Sequence, residues 1–411
     1  MTPRSVLVLV DAFSTGALLA RHAADRYRLL HVRSRQDMPA AFAGSLPREL
    51  FEDDLTYPDD VDGVVRRVAR RAPVAVIAAS EFGVEVADEL ANALGLRGND
   101  PALSTARRDK ARMMEVLRAR GVRTPRQLRG TRVAELVAWR RAEGLARVVV
   151  KPVDSAGSDD VYTCDTDEEI AAAFDTTMGK RNLMMRTNDA VLVQEHLCGE
   201  EFVVNSVSRD GRHWFTDAWV SRKAVLADKR AIYDHEDLLP PDDPDLDVIL
   251  PYVADVLDAL GIREGPAHTE LVLTADGPCL LETAARVSGL ANPPALDRAT
   301  GADQVGLTLE CYAPDATALT SRRSRYPRLA AARCVNLIAR REVPLPSAVF
   351  RAALTELPAF ESLRFRIADG ARTRRTVDLN SSPGVAFFVH RDQGEIDKAY
   401  ELLRGLEHEL L

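Results

Sequence analysis

Residues Gly265 to Gly289 read GPAHTELVLTADGPCLLETAARVSG. Two apolar runs with β character, residues 271–274 and 279–281, flank Ala275-Asp276-Gly277, the pattern of a hairpin closed by a short glycine-containing loop. With a three-residue loop and Gly277 in the left-handed region, Thr274 pairs with Pro278, and counting outward sets Glu270 directly opposite Glu282. Side chains opposed in this way stand about 5 Å apart, and like charges there destabilise a sheet. A cation between them removes the repulsion. Hard divalent ions, Mg²⁺ above all, take such oxygen ligands when phosphates supply the rest. Strand alternation adds His268 to the face of Glu270, and Ala284 and Arg286 to the face of Glu282. A solvated hairpin whose acids face water is the alternative reading, and the choice rests on what lies upstream.

The chain has 411 residues, 46% hydrophobic and 28% charged, enough for about two to four domains with real cores. A net charge of −8, with no basic tract longer than Arg322-Arg323, argues against nucleic acid as a partner. The cysteines fall at no metal spacing. The apolar run at residues 6–10 stops at Asp11, too short for a signal peptide or a membrane span, so a cytoplasmic protein without a membrane partner is expected. Only six of the 54 basic residues are lysine, among them Lys110, Lys151 and Lys223. In a chain that otherwise uses arginine, a lysine marks a place where a compact point charge is wanted.

The first hundred or so residues read as an open parallel α/β sheet, with strands at 5–10, 28–32 and 74–79 and helices at 17–26 and 84–94. Ser14, Thr15 and Gly16 follow the first strand, where such sheets place ligands; a tight turn explains Gly16 equally well. A helix is expected from 105 to 120. It carries Arg107, Arg108 and Lys110 near its start, against the helix dipole, so Lys110 reads as aimed at an anion, with a solvent-facing lysine as the alternative. The strand at 146–151 ends in Lys151 and runs into the small-residue loop Pro152-Val-Asp-Ser-Ala-Gly-Ser-Asp-Asp160, whose backbone N–H groups suit phosphate oxygens, although the P-loop spacing is absent. Downstream the pattern turns antiparallel, with strands at 190–197, 201–208 and 213–220. Residues 222–237 read as a polar, mobile loop and 247–260 as an amphipathic helix.

These pieces, in this order, resemble the ATP-grasp superfamily of carboxylate–amine ligases. The matching motifs are Arg-Arg-Asp-Lys110 at the helix start, VVVKPVDSAGSDDV from Val148, VQEHLCGEEF from Val193 and HTELVLTADGPCLLETAAR from His268. The subgroup it looks most like is the L-amino acid (dipeptide) ligases. The resemblance implies an ATP-grasp fold of mixed α/β and α+β character: an N-terminal open parallel α/β domain (1–103), a small lid subdomain with its connecting helix (104–200), a large grasp subdomain with the metal and substrate site (201–330) and a small C-terminal β-rich domain (331–411).

It further implies ATP and Mg²⁺ as cofactors, with Mn²⁺ as a substitute. Lys110 and Lys151 would reach the phosphates and adenine region, with Ser155, Ala156, Gly157 and Ser158 closing over the phosphates. Gln194, Glu195 and Leu197 would lie at the adenine hinge, Glu201 near the ribose and Lys223 by the phosphates. Glu270 and Glu282 would ligate the metal. Arg286 and His268 would act on the substrates beside Ser288 and Gly289. Many members carry an Asn two residues after the second glutamate as a further metal ligand; here that residue is Ala284.

The implied reaction joins a small-molecule carboxylate to an amine through an acyl phosphate, as in the building of peptides or natural products. A packed structural role is the alternative for His268. A carboxylase or carbamoyl-type ligase and a non-catalytic nucleotide-binding relative are the rival readings, and a homodimeric assembly is left open.

Overall fold

In β1 (Val6–Val10), Val6, Val8 and Val10 enter one apolar cluster while Leu7 and Leu9 enter another, so both faces of the strand are buried. That is the pattern of a parallel sheet covered by helices on both sides. β2 (Arg28–Arg33), β3 (Phe51–Thr56) and β4 (Pro73–Ala78) complete it in the order β3-β2-β1-β4, every pair parallel. The computed structural model describes residues 4–155, 160–225 and 231–411, with residues 40, 41, 225 and 231 described by backbone alone.

Gly16 is held by packing rather than by a ligand: a Cβ there would meet the Ala79 carbonyl oxygen at 2.4 Å. Sequence reasoning did not find β3. Its run FEDDLT is acidic because it is an edge strand whose carboxylates meet Arg28 and Arg33 of β2.

A second sheet contains β5 (Gln127–Gly130), β6 (Val148–Pro152), β7 (Tyr162–Cys164) and β8 (Val191–Glu195), antiparallel in the order β5-β8-β6-β7. Val148, Val150, Val191 and Val193 pack there against the helices Val133–Ala142 and Asp167–Thr177.

The third sheet is the largest. It contains β9 (Gly199–Arg209), β10 (Arg212–Val225), β11 (Ala231–Leu238), β12 (Gly265–Thr274), β13 (Gly277–Ala284), β14 (Ala331–Asn336), β15 (Phe360–Phe365) and β16 (Gly384–His390). Their order is β13-β12-β9-β10-β11-β14-β16-β15, antiparallel throughout. The helix Leu246–Ala259 packs its buried Ile249, Val253, Val256 and Leu257 into the core of this sheet, together with Met113 and Leu117 of the helix Lys110–Ala119. Among the described residues no helix is long and apolar enough to cross a membrane.

Two local expectations are corrected here. The stretch 222–237, read as a mobile loop, supplies the end of β10 and most of β11, and β11 is paired on both sides, with β10 and β14. It looks like loop in sequence because Tyr233 and Glu236 line a polar cavity, so the usual apolar face is missing. The helix expected from residue 105 is broken. A 3₁₀ turn covers Thr105–Arg107, and the α-helix begins at Lys110, with the Asp109 side chain accepting from the Arg112 N–H at 2.9 Å as N-cap.

Candidate active site

The hairpin sets Glu270 opposite Glu282, but not by the loop expected. Thr274 pairs with Gly277 across a two-residue loop, and a bulge between Glu270 and Leu271 in the register, which skips Leu281, restores the lost residue. Two local differences cancel, and the carboxylates still face each other. Glu282 Oε2 lies 2.7 Å from Lys110 Nζ, which also donates to the Ser155 carbonyl at 2.7 Å. Burial pushes the Lys110 ammonium pKa down, the Glu282 carboxylate pushes it up, and the net effect is upward. Lys110 is thus aimed at an anion, from the first turn of its helix.

Glu270 Oε1 lies 3.2 Å from His268 Nε2, and His268 Nδ1 lies 2.8 Å from Asn205 Oδ1. The Asn205 amide donates to Asp217 Oδ1 at 2.5 Å, which fixes its oxygen toward the histidine. Both ring nitrogens of His268 thus lie against oxygen atoms. Burial pushes the Glu270 carboxyl up, and His268 together with Arg286 and Lys223 more than reverses this, leaving it below the ordinary value. Held at both nitrogens, His268 serves to orient Glu270.

Arg286 has a partner that its sequence neighbourhood does not show. Its Nε donates to Glu81 Oε2 at 2.8 Å, and the other Glu81 oxygen takes Arg108. Arg108 in turn donates to Asp154 Oδ1 at 2.9 Å. Burial pushes the Glu81 carboxyl up, but Arg108 and Arg286 pull harder and hold it at about 2. Sequence reasoning missed Glu81. The signal available was its place just beyond β4, at the carboxyl end of a parallel sheet, where such folds put ligands.

A cavity of about 280 Å³ collects Lys110, Ser155, His268, Glu270, Glu282 and Arg286, with Ser288 and Gly289 also in its wall. The other described residues expected on the nucleotide side lie outside that wall. Lys151 Nζ donates to Gln194 Oε1 at 2.9 Å, and Gln194 donates to Gln127 at 3.0 Å. Burial and the neighbouring Lys110 charge lower the Lys151 pKa to about 8. Lys223 Nζ meets Glu201 Oε2 at 2.5 Å, and the Tyr233 hydroxyl donates to Glu201 Oε1 at 2.6 Å. Glu195 turns its carboxylate to Arg126 at 3.1 Å, its N–H donates to the Arg126 carbonyl, and Leu197 is half-buried. Ala156, Gly157 and Ser158 lie outside the described residues.

The donor set fits a hard divalent cation. Glu270 and Glu282 offer carboxylate oxygens across one strand pair, and the described residues hold no group of three or more acidic, histidine or cysteine side chains that would complete a shell. A cation held at this pair would need further oxygen ligands from outside the described side chains, such as phosphate or water. Ala284 faces His268 across the pair and offers no donor.

The model of the ATP-grasp domain matches residues 145–293, which includes the hairpin. Dapdiamide A synthase of Enterobacter agglomerans is 30% identical, over 98% of this chain and 96% of that protein. The L-amino acid ligase of Bacillus licheniformis superposes with a TM-score of 0.75 at 18% identity, covering 98% of both chains. The biotin carboxylase domain of Hydrogenobacter thermophilus 2-oxoglutarate carboxylase, solved with MgADP, ADP and bicarbonate, gives a TM-score of 0.63 at 13% identity over 95% of this chain and 88% of that one. The two structures share the fold alone, whereas the synthase is similar along nearly its whole sequence. By that likeness the chain belongs to the ATP-grasp family of carboxylate–amine ligases.

Proposed function

We propose that this enzyme activates the carboxylate of an amino acid or related metabolite with ATP and joins it to an amine, releasing ADP and phosphate. The observation that carries the reading is the Glu270–Glu282 pair with Lys110 and Arg286 converging on one enclosed cavity. A carboxylate oxygen attacks the γ-phosphorus, the bond to ADP breaks, and an acyl phosphate forms. The amine then adds to the acyl carbon, loses its proton, and expels phosphate. Lys110 and Lys151 offset the phosphate charge. Arg286 forks onto the carboxylate or acyl phosphate, and Glu81 keeps that fork in place. A divalent cation at Glu270 and Glu282 supplies further charge neutralisation when bound; Mn²⁺ meets the same oxygen donors and is proposed as a substitute. Gln194, Glu195, Leu197, Glu201 and Lys223 are assigned to the nucleotide. Ser288 and Gly289 are assigned to the substrate, and the four sequence segments ending at 103, 200, 330 and 411 to the domains of the family. The likeness to a dapdiamide synthase supports amide formation on a small metabolite of natural-product type.

The test is phosphate release with ATP and Mg²⁺ across a matrix of the proteinogenic amino acids and their N-acetyl forms taken in pairs, with products identified by mass. Amide products with ADP and phosphate in equal amounts are expected. ATP turnover that ignores added carboxylate and amine would overturn the assignment.

A further inference from the structure

The cavity does not end at the hairpin. β14 to β16 continue the large sheet, and the sheet curls far enough that Glu282 on edge strand β13 and Arg366, the residue after edge strand β15, line the same space. Asn336, at the end of β14, lies in that far wall. It is 1% exposed, and neither its Oδ1 nor its Nδ2 has a hydrogen-bond partner among the described residues. Buried carboxamides are ordinarily satisfied, and leaving one unpaired is destabilising unless water or a ligand completes it. A polar cavity of this size holds water, and a ligand that matches the amide displaces it.

Arg366 lines the same cavity and, unlike Asn336, is exposed. Its NH1 donates to the Leu379 carbonyl at 2.9 Å and more weakly to the Ser382 carbonyl at 3.4 Å, and no described carboxylate forms an ion pair with it. In a chain whose arginines mostly find acids, this one lines the cavity with its hydrogen bonds going to carbonyls and no ion pair to a described carboxylate.

We propose that Asn336 and Arg366 form the subsite for the amine-bearing substrate, and that this substrate is an α-amino acid whose free carboxylate is bound by Arg366. Asn336 offers an acceptor for an N–H and a donor for a carboxylate oxygen, side by side, and Arg366 supplies a fork of matching shape. Arg286 at the hairpin end is left for the carboxylate that is activated, so the two acids of the reaction are told apart by which arginine they meet. This subsite rests on the ligase reading given above.

The experiment presents the twenty proteinogenic L-amino acids as acceptors, each as free acid and as α-amide, to the parent enzyme, Asn336→Leu and Arg366→Gln. Hydroxylamine replaces the acceptor in a parallel arm, so that acyl hydroxamate reports activation alone. The parent is expected to favour the free acid over its amide by more than tenfold, and Arg366→Gln to bring that ratio close to one. Asn336→Leu is expected to raise the acceptor KM at least tenfold while the KM for ATP holds. Its unfolding temperature should not fall, because no hydrogen bond of the side chain is lost. Hydroxamate formation by the parent, together with an unchanged free-acid preference and unchanged acceptor KM in the variants, would overturn the subsite and leave the ligase standing. A lowered unfolding temperature in Asn336→Leu with an unchanged acceptor KM would make Asn336 structural. Absence of hydroxamate from the parent with every carboxylate of the matrix would remove the ligase reading and the subsite with it.

Discussion

Replacing Glu81 by Gln keeps the side chain's size and removes the one anion shared by Arg108 and Arg286. The environment lowers this carboxyl from an ordinary 4.5 to about 2. At about 1.4 kcal/mol per pH unit, the charged form is favoured in the folded protein by about 3 kcal/mol. A depressed carboxyl contributes its stability above the unfolded value and loses it as pH falls through the folded one. The full contribution is therefore present at pH 7 and fades between about pH 4.5 and pH 2.

Urea unfolding at pH 7, followed by the fluorescence of the cavity-lining Trp219, should show the Glu81→Gln midpoint about 1 M lower for a slope near 3 kcal/mol/M. The gap to the parent should narrow steadily below pH 4.5. Turnover should fall as well, because Arg286 loses the bond to its Nε that sets the plane of its guanidinium. Equal midpoints at pH 7, or a gap that persists unchanged at low pH, would refute the claim that Glu81 is the charged brace of this site.

Glu270→Gln and Glu282→Gln should each abolish turnover while leaving the circular dichroism spectrum intact; wild-type activity in either would show that the hairpin is not the metal site. Arg286→Lys keeps the charge and loses the fork, so kcat should drop about a hundredfold, near 3 kcal/mol, with nucleotide affinity scarcely changed. A large loss of ATP affinity by calorimetry, with turnover per bound ATP preserved, would move Arg286 to the nucleotide site. Lys151, with its pKa near 8, is partly neutral at pH 8.5, and phosphate beside it favours the charged form. ADP binding at that pH should take up protons, read as a dependence of binding heat on buffer ionisation enthalpy, and Lys151→Met should lose the uptake.

What could be read from the sequence was mostly local. The hairpin announces itself through turn residues and alternating strands within twenty-five positions, and the opposition of Glu270 and Glu282 depends only on the sum of loop length and bulge. Lys110 was legible because a cation in a first helical turn needs a reason. The Arg286 bridge was not: Glu81 stands 205 positions earlier, and no pattern near either residue records the meeting. β11 was illegible for a physical reason. A strand that lines a polar cavity puts Tyr233 and Glu236 where hydropathy rules look for Val and Ile. The same holds for Asn336, which in sequence is an ordinary polar residue at the end of a strand.

The ion pairs of this site also bear on how it receives its ligands. Lys110 is bonded to Glu282, and Arg286 and Arg108 to Glu81, so these largely buried charges have an opposite at hand. Uncompensated, each would be strongly destabilising. On the proposed reading, a nucleotide with its divalent cation brings both signs at once. Lys110 can trade Glu282 for a phosphate while Glu282 trades Lys110 for the cation, and the charge balance of the buried site is kept through the exchange. Nucleotide alone would satisfy the lysines and strand Glu282; a cation alone would satisfy the glutamates and strand Lys110. Joint binding is therefore favoured over either partner separately. Lys151, whose pKa burial and the Lys110 charge lower to about 8, would add attraction on the phosphate side without giving up an ion pair.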